Sequence, residues 1–286
     1  MSDLALSPQA YLRARARWHP AETVFWLATL LPYWLFPDYL SLASQIAITA
    51  LFALSLDLIL GYAGIVSLGH AAFYGLGAYA AGLAAKYGFG DPLGGLACAA
   101  IVAGVVGYAT SFIIARFRHL TLIMITLGLG LLLHEAANSA SWLTGGSDGL
   151  QGMRIAPLFG AFKFDLYGRV SYAYALAVLF IVFLGTRRLI HSPFGLALRG
   201  IRENFVRMPA IGADSRAHIR KVYTISAAVA GIAGAVILDR PPRMPFGSSM
   251  TTATSRMPIQ KYQYCGAMPE NWSRAIMKMI EPISPP

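Results

Sequence analysis

Residues 58–85 read LILGYAGIVSLGHAAFYGLGAYAAGLAA, 28 consecutive positions without one Asp, Glu, Lys or Arg. As one straight helix this block would be about 42 Å long at 1.5 Å per residue, whereas the hydrocarbon core of a bilayer is about 30 Å thick. It also carries glycine at positions 61, 64, 69, 75, 77 and 82. Length and glycine together predict an interrupted membrane segment, broken near Gly61 and Gly64, whose second half approaches other helices closely or leaves regular helix. Irregular backbone at membrane depth persists only where protein or a water-filled path satisfies its polar groups. The block therefore points to a transport path rather than an anchor. Tight packing alone is the competing account, because small residues also enrich helix interfaces in lipid.

Composition places the rest of the chain in the same class. Apolar residues make up 56% of it and charged residues only 13%, against about 25% charged in an ordinary soluble domain. Uncharged stretches mark seven candidate spans, at about residues 23–37, 40–60, 65–85, 93–115, 120–137, 170–186 and 222–238. The first is short and interrupted by Pro32, and the second contains Asp57, which is costly in lipid unless it lies near an interface or faces the bundle. The expected fold is an all-α polytopic membrane bundle of about seven helices with one glycine-rich broken segment. With the N-terminus inside, inner connections hold thirteen Lys and Arg, and outer ones only Lys86, Arg154, Lys163 and Arg169. That bias sets the orientation and explains most of the net charge of +10 without nucleic acid.

The domain reading follows from these spans: an N-terminal cytoplasmic tail at 1–22, a membrane domain at 23–238, and a non-membrane tail at 239–286. The start of the chain carries Arg13, Arg15 and Arg17 before an apolar stretch, but no small-residue cleavage site leads into a soluble domain, so it reads as retained. Cys98 and Cys265 offer neither a disulfide framework nor metal-ligand spacing. His134-Glu135-Ala136-Ala137-Asn138 misses the HExxH zinc motif, since Asn stands where the second imidazole is required. No Gly-Lys dipeptide occurs, so a Walker A loop is absent and ATP-driven work requires a separate nucleotide-binding protein.

Two connections are longer than usual. The outer one, 138–169, contains the turn-rich string SWLTGGSDGLQGM. The inner one, 189–221, places Phe194, Leu198 and Ile201 at helical spacing, with Arg199, Arg202 and Glu203 available for the other face. Such a short amphipathic helix lies on a lipid surface or docks in a partner's groove.

Three strings carry a family resemblance: GYAGIVSLGHAAFYGLGAY at 61–79, LTGGSDGL at 143–150, and SPFGLALRGIREN at 192–204, the last followed by Ala210, Ile211 and Gly212. They resemble the LivM-type permease subunits of bacterial branched-chain amino acid ABC transporters over about residues 40–238. The resemblance implies an inner-membrane heterodimer with a second, LivH-like permease subunit. It also implies two ATP-binding subunits that hold ATP and Mg, and a periplasmic binding protein delivering leucine, isoleucine or valine. Relatives move other amino acids, amides or urea. By the same implication this chain is not an enzyme, has no catalytic residue, and binds no cofactor or metal.

Its coupling loop to the ATPase would comprise Ser192, Pro193, Phe194, Gly195, Arg199, Arg202, Glu203, Ala210 and Gly212. Gly61, Gly64, Gly69, His70, Gly75 and Gly77 would line the path or pack closely beside it. Two positions depart from the family: Pro209 replaces an acidic residue three places before the loop glycine, and Leu196 stands where a basic residue is common. Gly212 suits a turn of positive φ between two short helices.

An ion-coupled carrier working without an ATPase is the alternative. It would place ionisable groups near mid-membrane, yet the acidic candidates Asp57 and Glu135 fall near predicted span ends. The tail at 239–286 holds 8 of the 16 prolines and no span pattern, so it is expected to be disordered. Family members continue there with further apolar helices, which makes a truncated or frame-shifted ending the expectation.

Overall fold

The computed structural model describes residues 20–88, 90–117, 119–146, 149–150, 168–205, 207–210 and 212–238. The tail at 239–286, the first nineteen residues and most of the outer connection lie outside them. The described chain is helical apart from turns and short connections, with no strand among the described residues. In order the helices are α1 (Pro20–Ala28), α2 (Pro32–Leu35), α3 (Leu40–Asp57), α4 (His70–Lys86), α5 (Pro92–Ile114), α6 (His119–Ser139), α7 (Ser141–Thr144), α8 (Arg169–Ile190), α9 (Pro193–Glu203), α10 (Arg207–Ala210) and α11 (Ser215–Leu238).

Five stretches are long and apolar enough to cross a bilayer: Leu40–Tyr62, Pro92–Ile114, Leu120–Ser139, Arg169–Ile190 and Ser215–Leu238. The expected count of seven is therefore not reached by full-length helices among the described residues. Residues 23–37 form two short pieces rather than one span, because Pro32 has no N–H to continue the ladder and instead opens the second piece. Residues 65–85 become helical only at His70, leaving the 17-residue α4, about 25 Å long.

Helix α11 is the axis of the bundle. Its small residues let neighbours approach to backbone distance: a Cβ on Gly231 would sit 2.8 Å from the Ala99 carbonyl oxygen of α5, and one on Gly234 2.9 Å from the Ala78 nitrogen of α4. At these distances dispersion contacts form between backbones, and in lipid they stand in for the hydrophobic effect. A second layer joins α3, α8 and α11 through Ala47, Ile48, Leu51, Tyr174, Ala175, Val178, Val229, Ala233 and Val236.

Helix α1 completes the α8 side. Glu22 pairs with Arg187, Trp26 sets its ring edge-on to Phe180 at 4.9 Å, and the Tyr172 hydroxyl donates to the Thr29 carbonyl. These contacts climb α8 from end to start, so α1 runs antiparallel to it. The outward faces of α5 and α6, with Ile101, Val105, Leu131 and Leu132, stay exposed and apolar, as lipid-facing or partner-facing surfaces must.

At one end of the bundle the amphipathic α9 closes the core. Leu198 and Ile201 bury there against Leu58, Ile59, Ala63, Ile65, Ile114, Leu122, Ile219 and Val222. That end gathers the finish of α3, α5 and α8 with the start of α6 and α11.

Candidate functional site: a helix break under an amphipathic helix

The interruption begins where α3 ends. Leu58–Tyr62 is a single π-helical turn, in which the i→i+5 pattern leaves one residue too many per turn. Gly64 follows at φ +70°, a conformation that costs other residues about 1–2 kcal/mol. Seven residues, 63–69, then return the chain to the interior, and α4 starts at His70 opposite Ser226, the twelfth residue of α11. The break thus reaches halfway along the bundle axis.

Buried polar groups hold it there. The Ser226 hydroxyl donates to the Ser55 carbonyl of α3 at 2.6 Å, and its oxygen faces His70 Nε2 at 3.0 Å. With the hydroxyl proton committed to Ser55, Nε2 must be the donor, which fixes the imidazole tautomer. His70 is 1% exposed and sits between the rings of Phe52, Phe73 and Tyr223. Leu68 N–H donates to the Thr126 hydroxyl of α6 at 3.3 Å, and a Cβ on Gly69 would overlap the Thr126 carbonyl. Backbone approach at Gly69 therefore joins α6 to the break.

Helix α9 lies directly on the π turn. Pro193 occupies its first turn, where the missing N–H costs nothing, and Ser192 precedes it, donating its hydroxyl back to the Leu189 carbonyl. Phe194 stacks on His218 of α11 with ring centroids 5.4 Å apart. Gly195 is buried where a Cβ would overlap the Ile190 carbonyl at the end of α8. The Arg202 guanidinium donates to the Gly61 carbonyl, and the Arg199 guanidinium lies 5.3 Å over the Tyr62 ring. The place a Cβ would take on Gly64 is 2.9 Å from Arg202 Cγ. These two arginines do more than face outward: they seat α9 on the break.

Beyond α9 the chain reverses. Pro209 is the third residue of the one-turn α10, a position whose N–H has no partner within the helix, so it is accommodated without a kink. Gly212 adopts φ +88° in open space and its N–H donates to the Pro209 carbonyl at 3.0 Å. The Asp214 carboxylate then caps α11, accepting from Ala217 and Arg216 N–H at 3.2 and 3.0 Å; these bonds hold its pKa below the usual value. Glu203 and Ala210 are exposed on this face.

The remaining candidates separate. Gly77 packs on Gly231, where a Cβ would meet backbone. Gly75, two residues earlier, has nothing within 4 Å and so is not closely packed in this chain. Against Gly61 a Cβ would strike the Asp57 carboxylate. Among the described residues no three His, Cys, Asp or Glu come together as a metal site. Sequence reasoning missed Ser55, Thr126, Tyr223 and Ser226; their signal was a hydroxyl inside an otherwise apolar span, which must find a partner when buried.

Together these features define a polytopic helical membrane protein with a discontinuous span at residues 40–86. The profile of the family described as branched-chain amino acid transport system, permease component, matches residues 39–255, and the chain belongs to that family. It is 28% identical over 235 residues to the high-affinity branched-chain amino acid transport system permease protein LivM of Escherichia coli K12, and 27% identical over 235 residues to LivM of Salmonella typhimurium LT2. Each match covers 75% of this chain and 55% of the relative, so the chain spans about half the length of the curated relatives it matches. No solved structure matches it.

Proposed function

We propose that this chain is a permease subunit of an ABC importer that carries branched-chain amino acids, or related small amino acids and amides, across the bacterial inner membrane. ATP and Mg are held by two separate ATP-binding subunits, a second permease subunit completes the path, and a periplasmic binding protein delivers the solute. The α9 end faces the cytoplasm, a placement that the Lys and Arg distribution supports, and the N-terminus lies on the same side.

The observation that carries this reading is the seat of α9 on the break. An amphipathic helix outside the spans offers a handle for a partner, and Arg199 and Arg202 connect it to the glycine-rich interruption at residues 58–69. A push on α9 displaces the π turn, whose backbone is already outside the regular ladder, more readily than any uninterrupted helix. Movement there passes through residues 63–69 to the start of α4 and to Thr126 of α6. Binding energy spent on the outer face of α9 thereby changes the middle of the bundle, as alternating access demands.

Reconstitution tests it. Vesicles carrying the chain with the permease, ATPase and binding-protein products of neighbouring genes should accumulate leucine only with ATP. Uptake driven by an ion gradient with no ATPase present would favour the secondary-carrier reading instead.

A further inference from the structure

Along α5, Ile101, Val105, Tyr108 and Phe112 recur at steps of four, three and four residues, so they form one stripe, and all four are exposed. The stripe is about 17 Å long, close to the roughly 15 Å of hydrocarbon in one leaflet. Its aliphatic residues lie at one end and its rings at the other, where Tyr108 and Phe112 meet edge to face at 5.1 Å. Aromatic rings at the boundary of the hydrocarbon are what a lipid-facing helix end calls for.

The ring end carries cations. The Arg220 guanidinium of α11 lies 5.0 Å over the Phe112 ring. Helices α5 and α11 run antiparallel there, with Gly104 on Ala228 and Gly107 on Ala227. One turn beyond the Phe112 and Arg220 pair, the same register sets Arg116, two residues past the end of α5, opposite Arg216. Arg216 and Arg220 are four residues apart on α11 and so share a face. Three guanidinium groups thus gather at one corner, with Arg116 and Arg216 exposed and Arg220 half-buried.

Acids are scarce around them in the sequence. Residues 92–134 contain no Asp or Glu, and Asp214 is the one acid between residues 204 and 221. Its carboxylate accepts from the Arg216 and Ala217 N–H groups at the start of α11. Arg216 itself stands in the first turn of that helix, where the dipole disfavours a cation. A general excess of Lys and Arg on one side accounts for the number of these groups. It does not account for their gathering at the head of an apolar stripe one leaflet long.

We propose that this corner of α5 and α11 binds an anionic glycerophospholipid, its phosphate on Arg116, Arg216 and Arg220 and one acyl chain along the stripe from Ile101 to Phe112. Guanidinium groups meet phosphate oxygens through paired N–H bonds, and basic corners between membrane helices take such headgroups. The bound lipid ties the end of α5 to the start of α11, just beyond the turn at Gly212, whatever the chain transports.

Native mass spectrometry of the purified full chain in an uncharged detergent, titrated with dioleoyl phosphatidylglycerol, tests the site. One lipid should be held about fivefold or more tighter than phosphatidylethanolamine with the same acyl chains. Arg220→Gln and, on the other helix, Arg116→Gln should each weaken it about fivefold, the effect of one cation near an anionic surface. Arg188→Gln removes the same charge from an exposed position on α8 and should leave binding unchanged. Equal retention of the two lipids, or equal weakening by all three variants, would overturn the proposal by reducing it to diffuse attraction. Release of the lipid by millimolar inorganic phosphate would overturn it in favour of a phosphate site. Absence of the lipid from the assembled transporter would overturn it in favour of a protein subunit on the same face.

Discussion

Two seams meet at α11 and its neighbours, and they are built from opposite materials. Where α4 crosses α11, Gly77 lies on Gly231 and Gly234 on Tyr74 and Ala78, backbone against backbone. Where α9 meets the π turn, the contact is a guanidinium on a carbonyl, a cation over a ring and an arginine stem filling the space beside a glycine. The first seam has no slack, since close-packed backbones move only as a body. The second is made by long side chains that change rotamer at small cost. One seam is therefore scaffold and the other transmission, and substitutions should sort accordingly.

The largest effect is expected at the scaffold. Gly77→Val forces a branched side chain into the Gly231 backbone, overpacking that costs on the order of 1–3 kcal/mol or more. Protein level in the membrane and uptake should fall together, as quantitative immunoblotting beside transport assays will show. A variant that accumulates normally but does not transport would move Gly77 from scaffold to path.

Gly212→Val comes next. There is room for its side chain but not for its φ of +88°, at a cost of about 1–2 kcal/mol. The chain should insert normally, with uptake reduced to a small fraction because the turn after α10 is distorted. Normal ATP-dependent uptake in vesicles would remove this turn from the coupling path.

Arg202→Gln keeps a donor but loses charge and reach. Uptake should drop on the order of five- to tenfold at unchanged protein level, the size of one lost hydrogen bond. A matched fall in protein level would make Arg202 scaffold instead. The smallest effect belongs to Gly75→Val: nothing lies within 4 Å of the added group, so uptake and expression should both remain near wild type, and a strong transport defect would reveal a partner or solute at that surface.

Much of this was legible in the sequence. The break announces itself through arithmetic, because 28 uncharged residues exceed a bilayer and the glycines at 61 and 64 supply the irregular turn. What periodicity does not give is register. Gly75 and Gly77 look alike in a glycine-rich string, yet at about 100° per residue they point to nearly opposite sides of the helix, about 160° apart, and only Gly77 meets α11. Arg199 and Arg202 read as the outward face of an amphipathic helix, but long side chains reach around, and their targets Tyr62 and Gly61 lie some 140 residues away. Residues 23–37 were legible as weak, with Pro32 in the middle, although their anchorage on α8 through Trp26 and Glu22 was not. Ser55 and Ser226 are unremarked hydroxyls until the fold sets them beside His70.

A reversible lock on the second seam tests the account most directly. A Cβ at Gly64 would lie 3.6 Å from Arg202 Cβ, within the roughly 3.5–4.5 Å that a disulfide spans. In a background with Cys98→Ser and Cys265→Ser, the pair Gly64→Cys and Arg202→Cys is oxidised in vesicles carrying the assembled transporter. Leucine uptake is expected to stop on oxidation and return on reduction, while each single variant is insensitive to both treatments. Undiminished uptake with the disulfide formed would contradict it, because α9 and the break would then have no need to move against each other.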